Sequence, residues 1–415
     1  MKIVFLQDDF PPISFGGAGI STYELAAGMK HAGHEVSVIT TCRKQSEAGE
    51  EKYNGLTVYK IASDYNPRWR AYVSLYNPQV VRHVEQLLKK IAPDVVHVNN
   101  VHFYLSYHCL RLARRHARCV VFTARDVMAF SFGKLATKRY LEEGDYHVGF
   151  YDHLVQAKKR WNPLLYIGIR HYLAYADVIT SVSDTLCEAL RQNGIGDAIV
   201  VHTGMPAQPE VTEAEKEKFK KCMGVENKKV VFFGGRIRGI KGSLQTLDAM
   251  QNVKEKFSDA VLLVVGSDDE YARKMKAEAE KRGVGNMLVF TGWIPRDEMQ
   301  YALSASDVVL VPSVSFDAFP RMVLEGMAAG KPVVGTCFGG AKEAIQDGVT
   351  GYIVNPLYPS EIASKTIELL KDTEKAKKFG EAGYERAFKK FNLDDKVKEY
   401  VMLYGNAMTI TVNKN

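Results

Sequence analysis

Along the chain, short apolar runs alternate with stretches in which apolar residues return every three or four positions. In the first half the runs fall at residues 2–7, 35–41, 56–61, 94–98, 119–123, 177–182 and 198–202. In the second half they fall at 229–233, 260–265, 287–291, 307–311, 332–336 and 351–354. Each reads as a β-strand apolar on both faces, as a parallel sheet covered by helices on both sides requires. The intervening stretches have helical periodicity. In 18–32, for example, Leu25, Met29 and Ala32 share a face, and Gly33 can close the helix. Segments 273–282 and 296–304 behave likewise. Two successive series of strand–helix–strand predict two doubly wound, Rossmann-like α/β domains.

The turn-rich Met205-Pro206-Ala207-Gln208-Pro209 marks the join. It divides the chain into residues 1–205 and 206–385, with a further segment, 386–415, at the end. From Pro359 the pattern is helical to about Met408, and a short polar tail follows. Residues 125–175 break the alternation, mixing Phe130, Phe132, Tyr146, Phe150 and Tyr151 with Lys134, Lys138, Lys158 and Arg160. Two readings stand: a helical insertion with a solvated basic face, or an acceptor-side or membrane-facing surface.

With 46% hydrophobic and 25% charged residues among 415, the chain is an ordinary globular one, and disordered or fibrous classes are excluded. The net charge is +7, of which +5 arises in residues 1–200. That bias suits an anionic ligand, or peripheral association with an anionic membrane. No dense Lys/Arg tract stands beside a reader motif, so nucleic acid is not an expected partner. None of the six cysteines is spaced as a metal or redox pair, and scattered thiols suit a reducing cytosol. No apolar stretch is long enough to span a bilayer. The expected location is therefore cytoplasmic, with the inner face of the membrane as the alternative.

Three loops carry candidate chemistry. Gly16-Gly17-Ala18-Gly19 lies between the first strand and its helix, where glycines let a ligand approach free N–H groups. A nicotinamide cofactor is not expected there: Thr22 replaces the third fingerprint glycine, and the second strand ends Ile39-Thr40-Thr41 with no acid for a ribose. Gly234-Gly235-Arg236-Ile237-Arg238-Gly239-Ile240-Lys241-Gly242 ends the first strand of the second domain. Its Arg236 and Lys241 can converge on one anion, a diphosphate above all, or stand as two solvated cations. After the run at 307–311 comes Ser315 to Gly330, in which Pro320 sits near a helix start. There Asp317 precedes the helix and Glu325 lies about a turn inside it. One acid could reach sugar hydroxyls and the other a ribose, with helix N–H groups facing phosphate; the plainer alternative is a capping acid and an exposed helical acid.

Taken together these elements resemble retaining glycosyltransferase family 4, the glycosyl transferases group 1, with the GT-B architecture. The resemblance runs through nearly the whole chain. It rests on the pair Gly235-Arg236 with Lys241-Gly242, on Asp317 and Glu325 eight positions apart, and on Glu325 to Val334. Gly339-Gly340-Ala341-Lys342-Glu343 and Asp347 to Gly351 add to it. It implies two Rossmann-like domains facing across a cleft, and a last helix crossing back to the first domain. The implied activity moves a sugar from a nucleotide-diphosphate donor to an acceptor (a glycan, a lipid-linked or a small molecule), with retention and without a metal or other cofactor. Arg236, Lys241, Asp317 and Glu325 would be catalytic. Gly16, Gly17, Gly235, Trp293, Ile294, Phe319, Pro320, Arg321 and Met322 would bind the donor. Arg125 and His102 would serve the acceptor side.

Three positions depart from the family pattern. Asp317 stands where Glu is usual, a shorter arm that bears on sugar preference or contact geometry. Pro320 stands where Gly is common and offers no N–H. Arg125 stands where many relatives carry His. Asp268-Asp269-Glu270 reads better as a turn before a helix than as a metal cluster, since two cations at the phosphates can neutralise the leaving charge. A nucleotide-sugar epimerase of the same fold and a non-catalytic nucleotide-sugar-binding protein are the alternatives.

Overall fold

The computed structural model describes residues 1–12, 16–160, 162–235, 239–266 and 269–412. It divides into two compact units: Met1–Pro206 joined by the chain from Leu393 onward, and Ala207–Asn392.

The first unit is built on eight strands: β1 Lys2–Leu6, β2 Glu35–Cys42, β3 Gly49–Tyr53, β4 Leu56–Ala62, β5 Val95–Val98, β6 Cys119–Ala124, β7 Val178–Ser181 and β8 Ile199–Val200. Their order is β3-β4-β2-β1-β5-β6-β7-β8. All pairings are parallel except the β3–β4 hairpin. That hairpin strand is absent from the sequence expectation. Gly-Glu-Glu-Lys-Tyr is polar because β3 is a sheet edge, so it carries no apolar run. The available signal was its turn: Asn54 and Gly55 both take positive φ, 45° and 81°, the conformation an Asn-Gly hairpin turn favours.

The second unit holds β9 Val230–Gly234, β10 Val261–Val265, β11 Leu288–Gly292, β12 Val308–Val311, β13 Val333–Thr336 and β14 Gly351–Val354. These form an all-parallel sheet in the order β11-β10-β9-β12-β13-β14. The apolar runs of the inner strands are buried, as in the Val-Leu-Leu-Val-Val of β10, while the edge strand β11 is half-buried throughout. Leu247 and Met250 of the helix Ser243–Lys256, with Ile362 and Leu369 of Pro359–Lys371, close over Val231 and Leu262. In each sheet the strand order reverses once, between β1 and β5 and between β9 and β12. Ligands of open α/β sheets bind outside the carboxyl ends of the strands at such a point.

The end of the chain differs from the expected segment 386–415. Residues 386–392 belong to the second unit: Arg386 donates from Nε to the Ala344 carbonyl (2.7 Å) and from a terminal nitrogen to the Glu343 carbonyl (3.0 Å). The last helix, Leu393–Val412, packs in the first unit. Tyr404 OH lies 2.6 Å from His97 Nδ1, and His97 Nε2 lies 2.6 Å from Thr123 Oγ1. Burial holds the His97 pKa well below its ordinary value, with Arg125 acting in the same direction.

Candidate functional site

At the β9–β12 reversal two loops are laced together. The loop after β9 ends in the turn Gly239–Lys241 and the glycine Gly242, which opens the helix Ser243–Lys256. Val314 N–H donates to the Ile240 carbonyl at 3.0 Å. Gly242 has φ +82°, and a Cβ on it would stand 2.0 Å from the Pro312 carbonyl oxygen, so only glycine fits between the loops.

The lacing brings Lys241 Nζ to 2.5 Å from Asp317 Oδ2, which also accepts from Ser313 Oγ at 3.2 Å. The Asp317 main chain is held from its other side, where its carbonyl accepts from Gly340 N–H at 2.9 Å. The lysine ammonium and the first acid, 76 residues apart in sequence, thus meet at the carboxyl ends of the central strands.

Pro320 is the N-cap of the helix Arg321–Ala328, whose first turn carries no acid and whose start has no side-chain cap. That positive helix end favours an anion. Glu325 projects from this helix, and its Oε1 accepts from Arg321 Nε at 2.8 Å and lies 3.3 Å from a terminal nitrogen of Arg296. The sequence reading assigned Arg296 only to a helix start, although it sits on the loop that follows β11 with Trp293 and Ile294. Trp293 is exposed, while Phe319 is buried near Phe391. Arg236 lies outside the described residues, as does Asp268. Asp269 caps the helix Glu270–Lys281, accepting from the N–H groups of Tyr271 and Ala272.

The first unit has its own polar cluster at the β1–β5 reversal. Gly16 is the N-cap of the helix Gly17–His31, with no side-chain cap and no acid in the first turn. Gly17 has open space where a Cβ would stand. Arg125 Nε donates to Asn99 Oδ1 at 2.8 Å. Asn100 Nδ2 donates to Asp126 Oδ2 at 3.1 Å, and that oxygen lies 3.6 Å from His102 Nε2. Burial lowers the His102 pKa against the pull of Asp126. Beside them Asp8 is buried and accepts from the N–H groups of Phe103, Tyr104 and Leu105 at 2.6–2.9 Å. Desolvation pushes Asp8 up to about 7 even so. The sequence reading gives Asp8, Asn99 and Asp126 no site role, although an acid or amide just past an apolar run is the signal available.

Comparison with known proteins follows the same division. Residues 15–208 match the model of Glycosyltransferase Family 4, and residues 214–386 match that of Glycosyl transferases group 1. The chain belongs to glycosyltransferase family 4. An uncharacterized glycosyltransferase of Methanocaldococcus jannaschii is 26% identical over 98% of this chain and 99% of its own length. Among solved structures, the sucrose-phosphate synthase of Thermosynechococcus elongatus superposes with a TM-score of 0.80 at 18% identity, over 99% of both chains. Anabaena HepE, solved with UDP and glucose, gives 0.73 at 18% identity, over 98% of this chain and 100% of its own. The fold is accordingly that of the GT-B glycosyltransferases, with two Rossmann-like domains.

Proposed function

We propose that this glycosyltransferase moves a hexosyl group from a nucleoside-diphosphate sugar to an acceptor, with retention at the anomeric carbon and without a divalent metal or other cofactor. The observation that carries the proposal is the Lys241–Asp317 contact at the β9–β12 reversal. An incoming diphosphate takes over the Lys241 cation, joined by Arg236 and by the uncapped start of Arg321–Ala328 with Pro320 and Met322. Released from the lysine, the Asp317 carboxylate turns to the sugar hydroxyls. Glu325, oriented by Arg321 and Arg296, holds the ribose. Gly235, Trp293, Ile294 and Phe319 complete the donor side.

In the transfer itself the bond from the anomeric carbon to the diphosphate oxygen breaks, and a bond to the acceptor oxygen forms on the same face. The acceptor proton passes to the departing phosphate. Within the first unit, Gly16 and Gly17, at a helix start with no side-chain cap, are the candidates for an anion, and Arg125 and His102 are the acceptor-side candidates.

A melting-temperature screen of nucleoside diphosphates and their sugars tests the reading. At about one hundred times its dissociation constant a ligand adds ~2.7 kcal/mol, or roughly 5–10 °C for a domain of this size. No shift with any nucleoside diphosphate overturns donor binding. Product NMR then reads retention against inversion, and turnover unaffected by EDTA is expected of a metal-free transfer.

A further inference from the structure

The helix Phe150–Ala157 in the first unit is turned outward. Residues 150, 151, 154 and 155 share one face of a helix. Here that face is Phe150, Tyr151, Leu154 and Val155, all exposed, with Tyr151 at 79% and Val155 at 71%. The opposite face makes the attachments: Gln156 Oε1 accepts from Ser131 Oγ at 2.8 Å, and the His153 ring stacks on Tyr166 at 4.2 Å, while Ala157, a turn beyond Leu154 at the helix end, is buried. The polar side thus holds the protein and the apolar side meets solvent, the reverse of an ordinary surface helix.

Neighbouring elements carry further exposed apolar groups. Leu164 and Ile167 stand out from the helix Leu165–Leu173 and its cap. Asn162 ties that segment to the Ala71 carbonyl at 2.9 Å, next to the exposed Trp69 and Tyr72. Half of the large apolar side chains exposed among the described residues fall in 69–76 and 150–167.

Within the segment that carries this face, cations outnumber acids. Residues 150–173 contain a single acid, Asp152, against Lys158, Lys159, Arg160 and Arg170. Asp152 is engaged in the helix cap, accepting from Gly149 N–H at 2.9 Å. Lys158 and Arg160, just past the helix, are exposed.

We propose that this face is a docking surface for an anionic lipid bilayer. The apolar side chains of 150–155 and 164–167 enter the headgroup region, and Lys158 and Arg160 meet the lipid phosphates. A stripe of aromatic and aliphatic groups bordered by cations is the composition that lies in such an interface. No helix of the described residues is long and apolar enough to cross a membrane, which leaves an attachment lying on the surface. A second copy of this chain would set the same cations against one another, so like charge disfavours a symmetric dimer through this face. The proposal is independent of the donor and of the transfer chemistry.

Co-sedimentation of the full chain with vesicles tests it. Binding is expected to phosphatidylglycerol–phosphatidylcholine vesicles and not to phosphatidylcholine alone, and to weaken as salt rises. Neutralising Lys158 and Arg160 together should lower the partition coefficient about 25-fold, at roughly fivefold per surface cation. The variant Tyr151→Ser/Val155→Ser should lose binding at unchanged melting temperature, since both side chains are exposed. No sedimentation with the anionic vesicles overturns the proposal, as does equal binding by the serine variant. Concentration-dependent self-association of the wild type that the same substitutions abolish would assign the face to a second copy and overturn it too.

Discussion

Gly242→Ala tests whether the loop that presents Lys241 is held in place by its neighbour. Two costs follow from the structure. An alanine at φ +82° enters the left-handed region, at about 1–2 kcal/mol. Its Cβ would lie 2.0 Å from the Pro312 carbonyl oxygen, so the two loops must part by roughly 1 Å, an overpacking strain of about 1–3 kcal/mol. Together these amount to ~2–5 kcal/mol, which lowers the melting temperature of the second unit by roughly 4–20 °C. The adjacent Lys241 moves with the loop, and a misplacement of about 1 Å in a reacting constellation costs on the order of 10² in rate. Calorimetry and initial transfer rates measure the two effects. Gly239→Ala is the control, because a Cβ there meets nothing within 4 Å. A Gly242→Ala protein with wild-type melting and turnover would refute the reasoning.

Three further outcomes are expected. Glu325→Ala weakens nucleotide binding about tenfold in calorimetric titration, a charge-assisted contact's share, and Arg296→Ala does the same to a lesser degree through loss of orientation; unchanged affinity in both removes the ribose role. Tyr404→Phe strands the buried His97 Nδ1 and destabilises the first unit by about 1–3 kcal/mol in urea; a neutral result would mean that nitrogen has another partner. His97 stays neutral in the fold while the unfolded chain takes up a proton below about pH 6.5, so its contribution is complete above that value and is lost as pH falls through it, by up to ~1.4 kcal/mol per unit. His97→Gln should therefore show a shallower loss of urea midpoint between neutral and acidic pH than the wild type, and parallel curves would contradict the assignment.

The thirteen strands with apolar runs were legible because a sheet buried on both faces leaves its mark in consecutive residues. β3 was not, because a polar edge strand has no such mark and only its Asn-Gly turn betrayed it. Pairings between distant loops were the least legible. Lys241 and Asp317 could be expected to lie near each other from strand order. Arg296 beside Glu325, and the three N–H groups gathered on Asp8, arise only when loops from different strands fold over one another. The apolar residues of 150–155 carry a helical spacing that reads equally as core or as surface; only the attachments of His153 and Gln156 show which way the helix faces.

The central claim is that Lys241 neutralises the departing diphosphate, and transfer by Lys241→Ala measured against wild type at saturating donor tests it most directly. At about 4 Å and an effective dielectric near 20, a cation and a phosphoryl charge interact by ~4 kcal/mol. The side chain is 37% exposed, so screening brings the expected loss down to ~2.7 kcal/mol, on the order of 10² in kcat. The account predicts that loss with melting temperature little changed, because a partly exposed ion pair contributes only about 0–1 kcal/mol to the fold. Turnover at the wild-type rate in a folded Lys241→Ala protein would contradict it.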